Sequence, residues 1–244
     1  MDWVYPVVAY DWEFPVHGGP PQTMGLFSGV YMRTFLSLLM AAALFLSGPA
    51  LAGWDNVGTT KNVKVERKTM PDSALFAFRG KGTFNVPIGL LVSVLKDEKI
   101  AVEWVDLMTE HSVIRKINEG SNLIYESYGL PWPISDRDYL MIERYTYDEA
   151  TKVFTIDYES VTDAAKPIRG DHVRAMAYRT FWRLEQVGPG RTKVQVEVFT
   201  DPKGVLPSWL INLIQEDWPW KTIDGLVRRA QKGDIQSDSG TEGW

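Results

Sequence analysis

The feature that most constrains the fold is a series of strand-like segments that ends in one long amphipathic helix. Apolar residues recur in steps of three and four between Leu206 and Ala230, which predicts a helix with one buried face. Pro207 lies near its start and Pro219 in its middle, where we expect a kink. A curled antiparallel sheet cannot bury both of its faces alone, so the helix would cover the concave one. The expected fold class is α+β, with a hydrophobic cavity between sheet and helix.

The strand-like segments fill most of the chain before this helix. The predicted strands are 63–67, 75–84, 112–118, 123–128, 139–147, 153–161, 173–187 and 192–200. Two short helices, one after Pro87 and one around Trp104, interrupt the series. Gly188-Pro-Gly-Arg191 joins the last two strands and is a strong hairpin signal. Strict alternation would place Met176, Tyr178 and Trp182 on one face of the preceding strand.

The first fifty residues carry signals of export rather than of a fold. Met32-Arg33 precedes an apolar run from Thr34 to Leu46, and Ser-Gly-Pro-Ala-Leu-Ala52 follows it. This order is typical of a secretory signal peptide at residues 32–52 that is cleaved after Ala52. The alternative is an uncleaved membrane anchor, although the apolar run is short for a span of about 20 residues. We interpret residues 1–31 as an extension that precedes the native start of translation. The sequence therefore predicts an exported protein, periplasmic in a bacterium.

Composition excludes several classes of function. The formal net charge is −5, whereas binding to nucleic acid by counterion release needs a basic face. The chain has no Cys, which excludes disulfides, zinc–thiolate sites and thiol nucleophiles. His111 beside Glu110 lacks the helical repeat of a metal site, and no Ser stands in a Gly-x-Ser-x-Gly turn. We expect no nucleic-acid partner, no metal and no cofactor.

Two motifs flank the later part of the predicted sheet. The first, Pro131-Trp-Pro-Ile-Ser-Asp-Arg-Asp-Tyr139, is a Pro-rich corner that leads into an apolar strand. We interpret its Arg137 and Asp138 as a structural ion pair that pins the corner to neighbouring loops. The second motif, Gly204-Val-Leu-Pro-Ser-Trp-Leu-Ile-Asn212, leads into the long helix.

These motifs resemble the START family, the lipid-transfer domains related to the steroidogenic acute regulatory protein. The resemblance covers about residues 54–232 and is strongest to the phosphatidylcholine-transfer branch. It implies a helix-grip fold, in which a curved antiparallel sheet wraps around a long C-terminal helix and encloses a tunnel for one lipid. It also implies that the segment Gly204–Leu213 acts as a gate. Residues 53–232 would form this domain, and the small, polar residues 233–244 a disordered tail.

The resemblance does not carry over to the headgroup of the lipid. In the phosphatidylcholine-binding members an Arg and an Asp flank the Trp that is here Trp104, and the matching positions are Ala101 and Val105. In the cholesterol-binding branch a cavity Arg corresponds to Glu143. We therefore expect the fold to be shared and the identity of the lipid to differ.

The resemblance and the strand alternation together nominate ten residues for contact with the lipid. Tyr139 and Tyr125 would belong to an aromatic cage around the headgroup. Arg144 and Arg174 would neutralise acidic strand residues that face the cavity, because an unpaired buried charge is costly. The full set is Trp104, Tyr125, Tyr139, Arg144, Arg174, Met176, Tyr178, Trp182, Trp209 and Leu213.

The resulting prediction is a monomeric, non-enzymatic carrier. It would bind one hydrophobic ligand, such as a phospholipid or a sterol-like lipid, and transfer it between membranes through transient membrane contact. Two alternatives stay open. One is an aromatase/cyclase-like enzyme of the same superfamily, which would use buried polar groups for proton transfer. The other is an interaction module that senses lipid.

Overall fold

The computed structural model describes residues 53–244, so the predicted extension at 1–31 and the signal peptide at 32–52 lie outside the described part. The helices are α1 (Ile88–Lys96) and α2 (Ser208–Ala230), with 3-10 turns at Ala101–Glu103 and Ser239–Thr241. The strands are β1 (Asp55–Thr60), β2 (Val63–Thr69), β3 (Phe76–Phe84), β4 (Met108–Asn118), β5 (Ser121–Tyr128), β6 (Asp136–Asp148), β7 (Val153–Ser160), β8 (His172–Arg174), β9 (Met176–Gly188) and β10 (Arg191–Asp201).

The strands form one sheet in the order β1-β2-β3-β10-β9-β7-β6-β5-β4, and the short β8 pairs with β6 in parallel. All of the other strand pairs among the described residues are antiparallel. Sheet and C-terminal helix confirm the predicted α+β class. Strand β1 was missed because Asp55–Thr60 is short and largely exposed, and therefore lacks an apolar alternation.

Helix α2 lies across the sheet, and its second half is far more buried than its first. Pro207 precedes the helix, which continues through Pro219; the expected kink there stays a prediction. Gly80 on β3 makes room for Pro219, because a Cβ at Gly80 would lie 2.9 Å from Cβ of Pro219. Gly225 allows an even closer approach of the segment after α1, since a Cβ there would lie 2.1 Å from the carbonyl oxygen of Trp104. Glycine at these points lets the second half of α2 sit tightly on its neighbours.

The sheet is packed on both faces around β5 and β6. The main core joins α1 and the second half of α2 to the central strands, with Leu91, Phe154 and Ile223 fully buried. A smaller cluster of Leu123, Tyr125 and Leu140 lies apart from it. Lys166, in the 161–171 connection, covers this cluster with its ammonium group 3.7 Å from the centre of the Tyr125 ring. Both faces of β5 are therefore buried, which matters for assigning its side chains.

The tail at 233–244 was predicted to be disordered, and the structure differs: this segment packs against α1. Asp238 N donates to Gly89 O over 3.1 Å, and Ser93 Oγ donates to Gln236 O over 2.7 Å. Lys96 Nζ lies 2.9 Å from Asp238 Oδ2. A Cβ at Gly89 would lie 1.9 Å from Ser237 Oγ, so this glycine is required for the close approach. Specific polar contacts and the packing of Ile235 and Trp244 against the core hold the tail. These isolated contacts have no periodicity, which is why pattern alone did not predict them.

None of the helices within 53–244 combines the length and apolarity needed to cross a membrane.

Candidate functional site

A cavity of about 140 Å³ lies between the concave face of the sheet and α2. Strands β4 to β7, β9 and β10 contribute to one wall and α2 to the other. Most of the wall is aliphatic or aromatic, which is the usual character of a site for an apolar small molecule.

The helical wall is a stripe along α2. Its members recur at spacings of three and four, as residues on one face of a helix do. They are Ile211, Ile214, Gln215, Trp218 and Thr222. The amphipathic pattern that predicted the helix therefore also builds one side of the cavity.

The sheet wall carries a buried polar cluster in an otherwise apolar surface. Glu126 is buried, and its Oε2 accepts a 2.8 Å hydrogen bond from the Tyr128 hydroxyl. Its Oε1 lies 3.2 Å from Nδ1 of His111. Burial lowers the pKa of His111, but the hydrogen bond and the negative charge of Glu126 outweigh burial and raise the pKa above its usual value. Burial and the charge of Glu126 raise the pKa of Tyr128 well above its usual range.

Two further tyrosines face the cavity beside this cluster. Burial raises the pKa of Tyr139 to about 12, and the Tyr139 ring stands edge-on to Tyr128 with 5.6 Å between ring centres. Tyr158 is also buried, and burial together with the charges of Glu143 and Glu126 raises its pKa well above the usual range. Both phenols are therefore neutral hydrogen-bonding groups at any physiological pH.

Glu143 is a second buried carboxylate near the cluster, although it is not part of the cavity wall. Burial raises its pKa, and the hydrogen bond from Asn122 opposes this shift. Asn122 Nδ2 donates to Glu143 Oε1 over 2.9 Å. Each buried carboxylate in this region thus has a specific partner, as buried polar groups generally do.

Arg137 lines the cavity and ties the sheet to the segment before α2. Its Nε donates to Pro202 O over 3.1 Å, its Nη2 to Lys203 O over 3.1 Å, and its Nη1 to Ser135 O. Burial lowers the pKa of this guanidinium. Arg137 therefore pins the corner to a neighbouring loop, but through carbonyl oxygens.

The predicted ion pair between Arg137 and Asp138 is not formed. Neighbouring residues on a strand point to opposite faces. Asp138 instead binds Arg174, with 2.9 Å from Nε to Oδ1 and 3.1 Å from Nη2 to Oδ2. It also accepts a 3.1 Å hydrogen bond from the Tyr125 hydroxyl.

Three of the ten nominated residues line the cavity, namely Trp104, Tyr139 and Trp182. Trp104 and Trp182 meet edge to face, with 6.1 Å between their ring centres. Tyr125 lies off the cavity wall because odd-numbered residues of β5 face away from the cavity. Arg174 also lies off the wall, where it binds Asp138, the same carboxylate that accepts from Tyr125. Arg144 is exposed, and its Nη1 lies 3.6 Å from Glu159 Oε2. None of these last three residues lies on the cavity wall.

Met176 and Tyr178 are 40% and 45% exposed, so they too lie off the cavity wall. The reason is a β-bulge. Phe199 pairs with Arg179 and the next residue, Thr200, pairs with Ala177, which leaves Tyr178 as the extra residue of β9. The bulge inverts the alternation, so that Ala177 and Thr180 both line the cavity.

Trp209 and Leu213 are 68% and 61% exposed on the first half of α2. They belong to the predicted gate segment, but the cavity wall in that region consists of Leu206, Ile211 and Ile214. Their contact with a ligand inside the cavity is therefore not supported, whereas their exposure leaves them free for another surface.

A serine, a histidine and an aspartate meet outside the cavity, although no such arrangement was predicted. Ser127 Oγ lies 2.9 Å from His172 Nε2, and His172 Nδ1 lies 2.9 Å from Asp171 Oδ1. Ser127 is 1% exposed and lies off the cavity wall. A nucleophile must reach its substrate, so these contacts fasten the connection before β8 to β5 rather than build a hydrolytic site.

Sequence reasoning missed the polar core of the site. His111, Glu126 and Tyr128 were not nominated, yet all three line the cavity. The signal that could have found them is Glu126 itself, an acidic residue inside the strongly apolar 123–128 strand. A buried carboxylate needs partners, and Tyr128 on the same face is the first one that period two offers.

Comparison with known proteins places this architecture among described relatives. A family model described as START domain matches residues 42–231. An uncharacterized protein of Pseudomonas aeruginosa is 28% identical over 205 residues, covering 82% of this chain and all of that protein. The phosphatidylcholine transfer protein of Bos taurus is 28% identical over 191 residues, covering 76% of this chain and 89% of that protein.

Two solved structures share the arrangement of sheet and helix. The crystal structure of human STARD10 has a TM-score of 0.69 at 21% identity, covering 88% of this chain and 84% of that chain. The STAR-related lipid transfer protein of Xanthomonas axonopodis has a TM-score of 0.65 at 25% identity, covering 74% of this chain and 99% of that chain. These likenesses confirm the predicted helix-grip fold.

Proposed function

The chain belongs to the START domain family, and on this basis we propose that it binds one lipid in the cavity under α2 and carries it between membranes. The observation that carries the proposal is a largely apolar cavity enclosed by the amphipathic helix and the concave face of the sheet. Relatives named for phosphatidylcholine transfer and STAR-related lipid transfer support it.

Burial of the acyl or ring surface of the lipid drives binding. Each Å² of apolar surface removed from water contributes about 25 cal/mol before the cost of association. The polar groups of the wall are few and have fixed positions, so they select the lipid rather than provide most of the affinity.

A long-chain lipid requires the cavity to widen. An engineered protein cavity of about 150 Å³ holds no more than a molecule such as benzene. The cavity here is of the same size, at about 140 Å³. We propose that the gate segment, Gly204–Leu213, moves outward to admit the ligand, because the first half of α2 is less buried than the second.

We further propose that the open gate contacts a membrane transiently. Val205, Trp209 and Leu213 expose apolar side chains along this segment. Trp is well suited to the membrane interface, since it combines a large apolar ring with one hydrogen-bond donor. We propose that the protein acts as a monomer. It would act outside the cytoplasm, because the apolar segment at 34–46 is typical of a secretory signal peptide.

The site supports transfer of the ligand without chemical change. The wall holds tyrosines, a histidine and a carboxylate, but Glu126 is engaged by His111 and Tyr128. The serine next to His172 lies outside the cavity. The enzymatic alternative stays a prediction, as does the sensing module.

Two measurements test the proposal. Native mass spectrometry of the full-length protein purified from cells should show a bound lipid, and the protein should accelerate lipid transfer between labelled vesicles. Ala177→Phe should abolish both by filling the cavity, while Val187→Phe on an exposed position of the same strand should preserve both. A folded wild-type protein that carries no lipid and transfers none would refute the proposal.

A further inference from the structure

Three buried polar atoms in side chains of the cavity wall have no hydrogen-bond partner among residues 53–244. They are Nε1 of Trp104, Oε1 of Gln215 and Oγ1 of Thr222. The sheet wall differs, because Glu126 is engaged by two side chains and Arg137 by three carbonyl oxygens. The unpartnered buried atoms of the wall therefore lie on α2 and on the segment after α1 rather than on the sheet.

Unpartnered buried polar atoms destabilise a fold, and native proteins keep few of them. Six such side-chain atoms occur among residues 53–244, and three of them lie on the wall of this one cavity. Of the other three, His172 Nδ1 and Arg229 Nε each lie 2.9 Å from an acidic oxygen, and Gln186 Oε1 lies elsewhere. A ligand that forms hydrogen bonds with the three atoms of the cavity wall would remove the free-energy cost of burying them unpaired.

Trp104 and Thr222 belong to neighbouring parts of the cavity wall. The carbonyl oxygen of Trp104 packs against Gly225, which lies one helical turn after Thr222. Gln215 precedes Thr222 by seven residues, two turns along the same face, so it lies about 10 Å away. This placement makes Trp104 and Thr222 the candidates for one shared ligand group, from which Gln215 is separate.

The stretches of the wall that carry Trp104 and Thr222 contain no charged side chain. None of the wall residues between Leu95 and Met108, and none of those on α2, is charged, and the Trp182 ring stands edge-on to Trp104. The charged residues next to Trp104 in the chain are engaged elsewhere: Glu103 lies 2.9 Å from Arg229, and Asp106 lies 3.8 Å from Lys221. An anionic group beside Trp104 and Thr222 would therefore be buried without a counter-ion, which is strongly unfavourable.

We propose that Trp104 and Thr222 bind an uncharged oxygen of the lipid, a hydroxyl or a carbonyl, where the segment after α1 meets α2. The indole N–H donates to that oxygen, and the Thr222 hydroxyl either donates to it or accepts from it. The inference rests on the proposed lipid binding and deepens it, because it names the ligand class as a lipid with a neutral oxygen beside Trp104 and Thr222 rather than a phosphate.

The test compares three probes of equal chain length on the full-length protein, namely dodecane, 1-dodecanol and dodecyl phosphate. Each displaces a fluorescent apolar dye from the cavity. We expect 1-dodecanol to compete at about three- to tenfold lower concentration than dodecane, as one or two hydrogen bonds would provide. Dodecyl phosphate should compete more weakly than 1-dodecanol.

Three variants locate the effect. Thr222→Val should weaken the preference for the alcohol by about threefold or more, Thr222→Ser should keep it, and the double variant Trp104→Phe with Thr222→Val should remove it. Thr180→Val is the matched control, because Thr180 also lines the cavity but lies on the opposite wall. Thr222→Val should also raise the melting temperature of the lipid-free protein, since it deletes an unpartnered buried hydroxyl.

The outcomes separate this inference from the proposed function. Equal competition by all three probes, or tightest binding of the phosphate, overturns the inference while lipid binding stands. A Thr222→Val variant that keeps the full preference for the alcohol also overturns it. Failure of every probe to displace the dye from folded protein overturns lipid binding itself.

Discussion

The Tyr128 hydroxyl donates a 2.8 Å hydrogen bond to Oε2 of Glu126, two residues earlier on the same strand, and both side chains face the cavity. Period two makes this contact possible, because residues i and i+2 of a strand share a face. The tyrosine satisfies a carboxylate that would otherwise be buried with a free oxygen. The pair therefore lets an apolar cavity contain a charge without losing the fold.

Removal of this hydroxyl should destabilise the protein. Tyr128→Phe keeps the ring but leaves Glu126 Oε2 without its donor, which should lower the free energy of unfolding by about 1–3 kcal/mol. Urea denaturation followed by tryptophan fluorescence measures the loss. Tyr178→Phe is the control, because that side chain is largely exposed and should change stability little. Equal effects of the two substitutions would contradict the role given to Tyr128.

Stability should depend on pH through His111. Its pKa is raised in the folded protein, mainly because the interaction with Glu126 outweighs burial. The folded state therefore binds the proton more tightly than the unfolded chain, so protonation stabilises the fold below pH of about 6.5. This contribution is lost as the pH rises through the folded pKa.

Melting temperatures measured between pH 6 and pH 8.5 test this dependence. The wild-type protein should lose stability toward the upper end of the range, and His111→Asn should lose less. Titration of the His111 ring by NMR gives the folded pKa directly. A value at or below that of an unfolded histidine would rule out this source of pH dependence.

Arg137 should control the mobility of the segment before α2. Arg137→Lys keeps the charge but cannot offer the planar guanidinium fork that reaches the carbonyl oxygens of Ser135, Pro202 and Lys203. We expect faster amide hydrogen exchange in residues 203–206 and a stability loss of about 1.5–3 kcal/mol. Arg179→Lys, at an exposed position paired with Asp157, should leave exchange there unchanged. Unaltered exchange in the Arg137 variant would show that other contacts hold the segment.

The fold was largely predictable, because its two periodicities are strong. Alternation located most strands, and the stripe from Leu206 to Ala230 located α2 and one wall of the cavity. The gate motif and the Pro-rich corner supported the family. The ends of several strands were placed a few residues away from their observed positions, which is usual where the hydrogen-bonded ladder extends beyond the apolar pattern.

The site was less predictable, for physical reasons that differ between strands. In β9 the bulge at Tyr178 inverts the alternation, and nothing in its composition marks the extra residue. In β5 both faces are buried, since the small Tyr125 cluster covers the side opposite the cavity. Apolar character alone therefore could not show whether Tyr125 or Tyr128 faces the ligand. The elements that cover each face decide that question, namely α2 on the Tyr128 side and the connection carrying Lys166 on the Tyr125 side.

Trp209 should contribute to membrane contact and hardly at all to folding. Its side chain is 68% exposed on the first turn of α2, so Trp209→Ser removes little buried surface and should shift the free energy of unfolding by less than about 0.5 kcal/mol. It should nevertheless lower binding to vesicles and the rate of lipid transfer several-fold, because the indole would no longer insert at the interface. Cosedimentation with vesicles and a transfer assay measure both effects. Val187→Ser, an exposed apolar residue on β9, is the matched control and should leave them unchanged. If Trp209→Ser transfers lipid as fast as wild type, membrane contact must use another surface, and the exposure of this tryptophan needs a different explanation.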